Sequence, residues 1–201
     1  MQNDYSLINR RIEENGLSEA CAPWNEDVGF MAYNVLAGGM LTGKYLDVPA
    51  STDDENRMRA MASKMKPRGR MDEQGWGRTL YRYRSGPAAE ATKAYAALAE
   101  ASGLGLTELA LKWCRSRPAC TTVLLGHTSL DQLRESIEHF DAEALVEVVD
   151  PRLSTPLRQY LPEDVLWEID RIHMRNRLPI FSSTRVGKDW DGQGEIGEPI
   201  P

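Results

Sequence analysis

The chain has 201 residues, 41% of them hydrophobic and 27% charged, with a formal net charge of −6. That hydrophobic share excludes a disordered chain and suffices for one globular domain or two small ones. The acidic balance gives no general attraction to nucleic acid or anionic lipid, and no apolar run reaches signal or membrane-spanning length. A cytoplasmic location is expected, with neither nucleic acid nor membrane as partner.

The charge is uneven. Residues 51–86 hold seven Arg and two Lys against five acids, a local +4; since the whole chain carries −6, the remainder carries −10. Such a stretch is either a solvated loop or a basic flap over a phosphate-bearing ligand.

Residues 1–6 are too short and polar to define a strand alone. Leu7, Ile8, Ile12, Leu17 and Ala20 form a loose helical pattern interrupted by Gly16. Val28 to Tyr33 is almost wholly apolar and predicts a parallel-sheet strand covered on both faces. A glycine-rich turn follows. Residues 46–86 show no clear periodicity and are too long for an ordinary loop.

Residues 88–101 predict a helix with Ala91, Tyr95, Leu98 and Ala99 on one face, stopped by Gly103 and Gly105. Thr107 is the expected N-cap of the next helix, stapled by Leu106 and Leu111, which runs through Trp113 and ends before Pro118. Cys120 to Leu125 is a β-branched strand broken by Gly126. Ser129 and Gln132 fit a capping box for a helix with Leu130, Leu133, Ile137 and Phe140 along one face. Residues 141–162, with Pro151, Pro156 and Pro162, predict a loop-rich insert. Glu163 to Arg175 is amphipathic, with Val165, Leu166, Ile169 and Ile172 inward. The end of the chain, past Pro179, is expected to be poorly ordered. Alternating strands and helices predict an α/β fold of parallel βα units.

The three cysteines, Cys21, Cys114 and Cys120, form no CxxC and have no His at metal-ligand spacing. They read as thiols of a reducing compartment, Cys114 and Cys120 in the core, and no metal site is expected.

Two segments carry chemistry. In the first, Gly38, Gly39 and Gly43 follow the strand that ends at Tyr33. Glycines let a backbone approach a diphosphate, and ligands of parallel α/β folds sit at the carboxyl ends of strands. Lys44 adds a cation and Tyr33 a flat ring for stacking. Each also has a plain reading: an ordinary turn, a solvated charge, a packed ring. In the second segment, Gly126 turns the chain into a helix whose start at Thr128 or Ser129 presents free N–H groups. Gln132 and Glu135 lie one turn in. A simple capped helix reads equally well. His127 is solvated, structural or a phosphate contact.

At these residues the chain resembles the aldo-keto reductase family. Tyr33 to Tyr45 is similar to that family's aromatic-x-P-L-A-x-G and T/S-G-K-Y pattern. Leu106 to Ile137 resembles its L-x-x-L-A-L-x-W helix and L-L-G-x-T-S-x-x-Q-L-x-E-x-I run. Gln2-Asn3-Asp4-Tyr5-Ser6-Leu7-Ile8-Asn9-Arg10 looks like its sixth barrel strand, and Leu161 to His173 like its closing helix. Val35 stands where the family has proline, and Ser136 where it has Asn.

The resemblance implies a (β/α)8 barrel binding NADP(H), of which this chain holds roughly the last three βα units. Gln2 and Tyr33 would flank the nicotinamide. Leu36, Ala37, Gly38 and Lys44 would line the pyrophosphate. Gly126, Thr128, Gln132 and Glu135 would hold the adenosine end and its 2′-phosphate. The family's acid–base Asp, Tyr, Lys and His lie in the first half of the barrel, so no catalytic residue is assigned here.

A whole barrel takes about 250 residues, and Met1 falls inside a strand motif. The expectation is therefore a C-terminal portion over residues 1–178, with 46–87 a loop over the cofactor site and 141–160 an insert. Residues 179–201 would be an irregular tail. Such a piece is expected to be inactive alone, to act on a small carbonyl only with the missing half supplied, and to leave strand edges for a protein partner. The alternative is a non-catalytic NADP-binding regulatory or partner-binding module on the same fold. A small independent α/β domain is a third reading.

Overall fold

The computed structural model describes residues 1–46, 69, 83, 85–141, 143–149, 151 and 156–181. Most of the basic stretch, and the tail past Phe181, lie outside the described residues. Three strands, β1 (Gln2–Asp4), β2 (Phe30–Tyr33) and β3 (Cys120–Val123), pair in parallel in the order β1-β2-β3. Gln2 lies opposite Met31 and Asp4 opposite Tyr33. Phe30 faces Cys120, then a register shift places Met31 opposite Thr122. The described helices are α1 (Arg11–Glu14), α2 (Leu17–Cys21), α3 (Gly86–Ala101), α4 (Leu106–Arg115), α5 (Leu130–Asp141) and α6 (Glu163–Arg175).

The expected α/β alternation with a parallel sheet is present. β1, too polar to stand alone, forms against the apolar β2. Met31 N donates to Met1 O at 2.8 Å and Tyr5 N to Tyr33 O at 3.1 Å. Gly16, left-handed at φ 78°, separates α1 from α2 where the sequence pattern breaks.

β2 is covered on one face only, which corrects the expected two-sided burial. Phe30 and Ala32 sit in a core with Tyr5, Leu41, Tyr95, Leu109 and Trp113. On the opposite face Met31 is 38% and Tyr33 40% exposed. Alternate residues of a strand point to opposite faces, and helices pack on one of them. The other face stays largely open among the described residues.

Ser85 caps α3 by accepting from Ala88 N at 3.3 Å, and its hydroxyl donates to Pro179 O at 3.1 Å. Pro179–Phe181 forms a 3-10 turn there, with Ile180 buried. The cap of α4 is Gly105 rather than Thr107. Gly105 is extended and its carbonyl accepts from Leu109 N at 2.9 Å, so Leu106 opens the helix.

Most of the apolar stripe of α5 faces outward, with Leu130 69% and Ile137 48% exposed, while Phe140 packs against the core and Ser136 is the helix's buried residue. Among its described residues the 141–160 insert has regular structure where a loop was expected. It holds an antiparallel hairpin, β4 (Val146–Val148) with β5 (Leu157–Gln159), braced by an Arg158–Glu147 ion pair at 3.0 Å. α6 buries Val165, Ile169 and Ile172 as its spacing requires, and also His173.

One charged network closes the fold. Arg10, buried, donates to Glu13 from Nε at 2.7 Å and to Asp170 of α6 from Nη1 at 2.6 Å. Its guanidinium lies 5.3 Å from the Trp113 ring centre, with Arg117 also over that ring at 5.6 Å. The Tyr5 hydroxyl donates to Glu13. Beside it, His173 Nε2 and Glu14 Oε1 are 2.8 Å apart.

Candidate functional site

The chain leaves the carboxyl ends of β2 and β3 through the two segments with chemical promise. Tyr33 ends β2 with its ring partly exposed. Gln2 opens β1 on the same open face, opposite Met31 and so diagonal to Tyr33.

After Tyr33 the chain makes a sharp turn. Asn34 and Ala37 adopt left-handed φ values of 58° and 50°, followed by Gly38 at 66° and Gly39 at 96°. Ala37 N donates to Asn34 O at 2.7 Å, Gly38 N to the Asn34 side-chain Oδ1 at 2.7 Å, and Gly39 N to Leu36 O at 2.8 Å. These three amides are thus satisfied inside the turn and do not form an anion cradle. Ala37 is fully buried, backbone included, and Leu36 packs against the core.

Lys44 folds back over this turn. A Cβ on Gly39 would lie 2.8 Å from Lys44 Cε, and one on Gly69 would overlap Lys44 Nζ. The amine sits 5.1 Å from the Tyr45 ring centre. The glycine at position 39 therefore has a structural reason, a left-handed turn under a lysine. It also puts a cation beside the carboxyl end of β2.

At the other segment, Gln132 Oε1 accepts from Thr128 N at 2.9 Å and from Thr128 Oγ1 at 3.1 Å. Ser129 Oγ accepts from Gln132 N at 3.3 Å. The Ser129 half of the expected capping box is present, while the reciprocal glutamine bond reaches Thr128 instead of Ser129. His127 is structural: its Nε2 is 2.9 Å from the buried Ser136 hydroxyl. Ser136 thus braces the loop that holds Gly126. Glu135 lies on the next turn, 3.8 Å from His139 Nε2. Asp131 stands in the first turn, paired with Arg134 at 3.4 Å, and already answers part of the helix dipole.

A third cluster escaped the sequence reading. Tyr83 OH donates to Asp4 Oδ2 at 2.6 Å, and Asn34 Nδ2 donates to Tyr83 OH at 2.9 Å. The three residues join the carboxyl ends of β1 and β2 to a residue far along the chain. Burial raises the Asp4 carboxyl above its usual range, and burial with the adjacent Asp4 charge raises the Tyr83 phenol strongly. The phenol proton is thus engaged by Asp4. No sequence signal marks a Tyr83–Asp4 pair, since 79 positions separate them.

Among the described residues no group of three His, Cys, Asp or Glu could hold a metal ion. No described helix is long and apolar enough to cross a membrane.

A parallel sheet with glycine turns at its carboxyl ends fits the class to which the sequence motifs pointed. The Aldo/keto reductase family pattern matches residues 1–150, and the chain belongs to that family. Protein tas of Escherichia coli (strain K12) is 33% identical over 179 residues, covering 89% of this chain and 41% of that protein. An aldo-keto reductase of Babesia bovis is 35% identical over 138 residues, covering 68% of this chain and 43% of its own. L-glyceraldehyde 3-phosphate reductase of E. coli (strain K12) is 26% identical over 141 residues, covering 68% of this chain and 35% of that protein. The chain thus spans roughly two fifths of the length of the curated relatives it matches.

Proposed function

We propose that this chain is the cofactor-binding, C-terminal portion of an NADP-dependent aldo-keto reductase-type oxidoreductase that reduces a small carbonyl to an alcohol. Its β1-β2-β3 sheet corresponds in this reading to the last three strands of a (β/α)8 barrel. Residues 1–178 form the barrel portion, 46–87 the loop over the cofactor, 141–160 an insert and 179–201 a tail. The location is cytoplasmic.

The observation that carries the reading is the common placement of the candidate residues. The Tyr33 ring, the turn with Lys44 and the Gly126–Gln132 loop all follow the carboxyl ends of adjacent parallel strands, where α/β folds bind ligands. These groups suit a dinucleotide: a partly exposed ring on the open face, a lysine at a glycine turn, and polar groups at a helix start. Gln2 and Tyr33 flank the nicotinamide. Leu36 and Gly38 line the pyrophosphate, with Ala37 buried behind them as part of the same wall, and Lys44 supplies the charge. Gly126, Thr128, Gln132 and Glu135 take the adenosine end. When bound, NADPH supplies a hydride. No acid–base residue is assigned in this chain, so we expect no turnover from it alone. The remaining strands, or a protein supplying them, would pair along the outer edges of β1 and β3, the two ends of the described sheet.

The test is fluorescence titration of the purified chain with NADPH and NADH, with an NADPH-oxidation assay on small aldehydes. Expected are NADPH binding weakened about tenfold by Lys44→Ala, as for loss of one phosphate contact, a weaker NADH complex, and no oxidation. Oxidation by the chain alone would sink the division of labour. A stoichiometric protein partner with no NADPH binding would favour the non-catalytic module.

A further inference from the structure

We propose that Cys114 and Cys120 form a reversible dithiol–disulfide site, oxidised by peroxides and reset by dithiols. Their Sγ atoms lie 3.7 Å apart. Cys114 is in the last turn of α4 and Cys120 is the first residue of β3. The five residues between them form a braced turn. Arg117 N donates to Cys114 O at 3.2 Å and Cys120 N to Arg117 O at 3.0 Å. Pro118 stiffens it further. This turn holds the two cysteine positions near one another. Bonding them needs an approach of about 1.7 Å, from the observed separation to the S–S length near 2.05 Å.

The two thiols differ as an attacking and a resolving pair must. Cys120 is only half buried, whereas Cys114 is fully buried. The Cys114–Cys120 hydrogen bond, in which either sulfur can be the donor, lowers the Cys120 thiol below its ordinary range and, with burial, raises Cys114. Cys120, the more exposed of the two sulfurs, is the one a peroxide reaches first, and it reacts through its thiolate form. Its sulfur attacks hydrogen peroxide, breaking the O–O bond, to give Cys120 sulfenic acid and hydroxide. Cys114 sulfur then displaces the sulfenic oxygen, its proton leaving with that oxygen as water, and the S–S bond forms. Overall, two thiols are oxidised and one peroxide is reduced to two waters. A dithiol reductant reverses the change by exchange. Cys21, buried beyond reach at the end of α2, has no cysteine partner.

The test is hydrogen peroxide treatment of the full chain, followed by intact mass, thiol count after unfolding, and peptide mapping. Expected are loss of two hydrogens, one remaining thiol, a Cys114–Cys120 linked peptide, and full recovery with dithiothreitol. The folded chain should form this link at least tenfold faster than the chain in concentrated guanidinium, because the fold holds the sulfurs together. Cys21→Ser should leave the result unchanged, and Cys114→Ser should divert Cys120 to sulfinic acid. Three outcomes overturn the proposal: sulfinic acid on Cys120 with Cys114 still reduced in the natural chain, links between chains only, or equal rates folded and unfolded.

Discussion

Replacing Arg10 tests what holds the two ends of the described fold together. Its side chain is 6% exposed and ion-paired to Glu13 and Asp170, each at 2.6 Å. Arg10→Ala leaves Glu13, itself 16% exposed, with the Tyr5 hydroxyl and with Arg117 at 3.2 Å. Breaking a buried pair from one side costs about 3–5 kcal/mol. Glu13 keeps those two partners, and Asp170, 47% exposed, regains water. A loss near the lower end, about 3 kcal/mol, is therefore expected. Arg10→Met, which keeps an apolar stem over Trp113, should lose less. Asp170→Asn should cost only about 0.5 kcal/mol, since its carboxylate is half solvated. Urea unfolding followed by tryptophan fluorescence measures all three. A loss below about 1 kcal/mol for Arg10→Ala, or equal losses for Arg10→Ala and Asp170→Asn, would refute the view that a desolvated cation ties α1 to α6.

Three further outcomes follow from the same geometry. Because the folded-state Asp4 carboxyl is raised above its usual value of 3.8, its protonated form favours folding, and that contribution fades as pH rises through the raised value. Asp4→Asn should thus match or exceed the natural stability at neutral pH, with the gap closing in acid; a large loss at neutral pH would contradict it. Burial holds the His173 imidazole below its usual 6.5, so the stability it contributes is present above that pH and declines as pH falls through it toward the lower folded value. Glu14, lowered by the His173 hydrogen bond, contributes above 4.5 and loses that contribution further into acid. Melting temperatures across this range should fall less steeply for His173→Gln. Gln132→Ala removes the acceptor for Thr128 N and Oγ1 and should cost about 1 kcal/mol. In the proposed function it should also weaken NADPH binding; unchanged stability with an unchanged dissociation constant would remove Gln132 from both roles.

Local periodicity carried much of the fold. The apolar spacing in residues 88–101 and 163–175 marked α3 and α6, and the run ending at Tyr33 marked β2. The family was legible from four motifs in order, although β1 was legible only through its motif. What failed has physical reasons. An amphipathic pattern marks a face but not what covers it, so Leu130 and Ile137 of α5 could be seen as a stripe and not as exposed. The hairpin β4–β5 has only three residues per strand, within the range where prolines dominate a sequence reading. Asp4–Tyr83 and Cys114–Cys120 are tertiary meetings without a spacing rule. At the candidate site, the glycines were correctly read as a turn. That the amides of Ala37, Gly38 and Gly39 are consumed within it depends on the Asn34 side chain, which no glycine motif specifies.

The Arg10–Asp170 contact links positions 160 residues apart. Chain entropy makes such a closure late and slow, because the long loop must be ordered before the contact repays it. Val165, Ile169 and Ile172 of α6 enter the same core that holds β2. During synthesis that core therefore stays unfinished until residue 172 has left the ribosome, and the apolar surface that α6 covers must wait exposed. A nascent chain halted before α6 is the species that chaperones would meet.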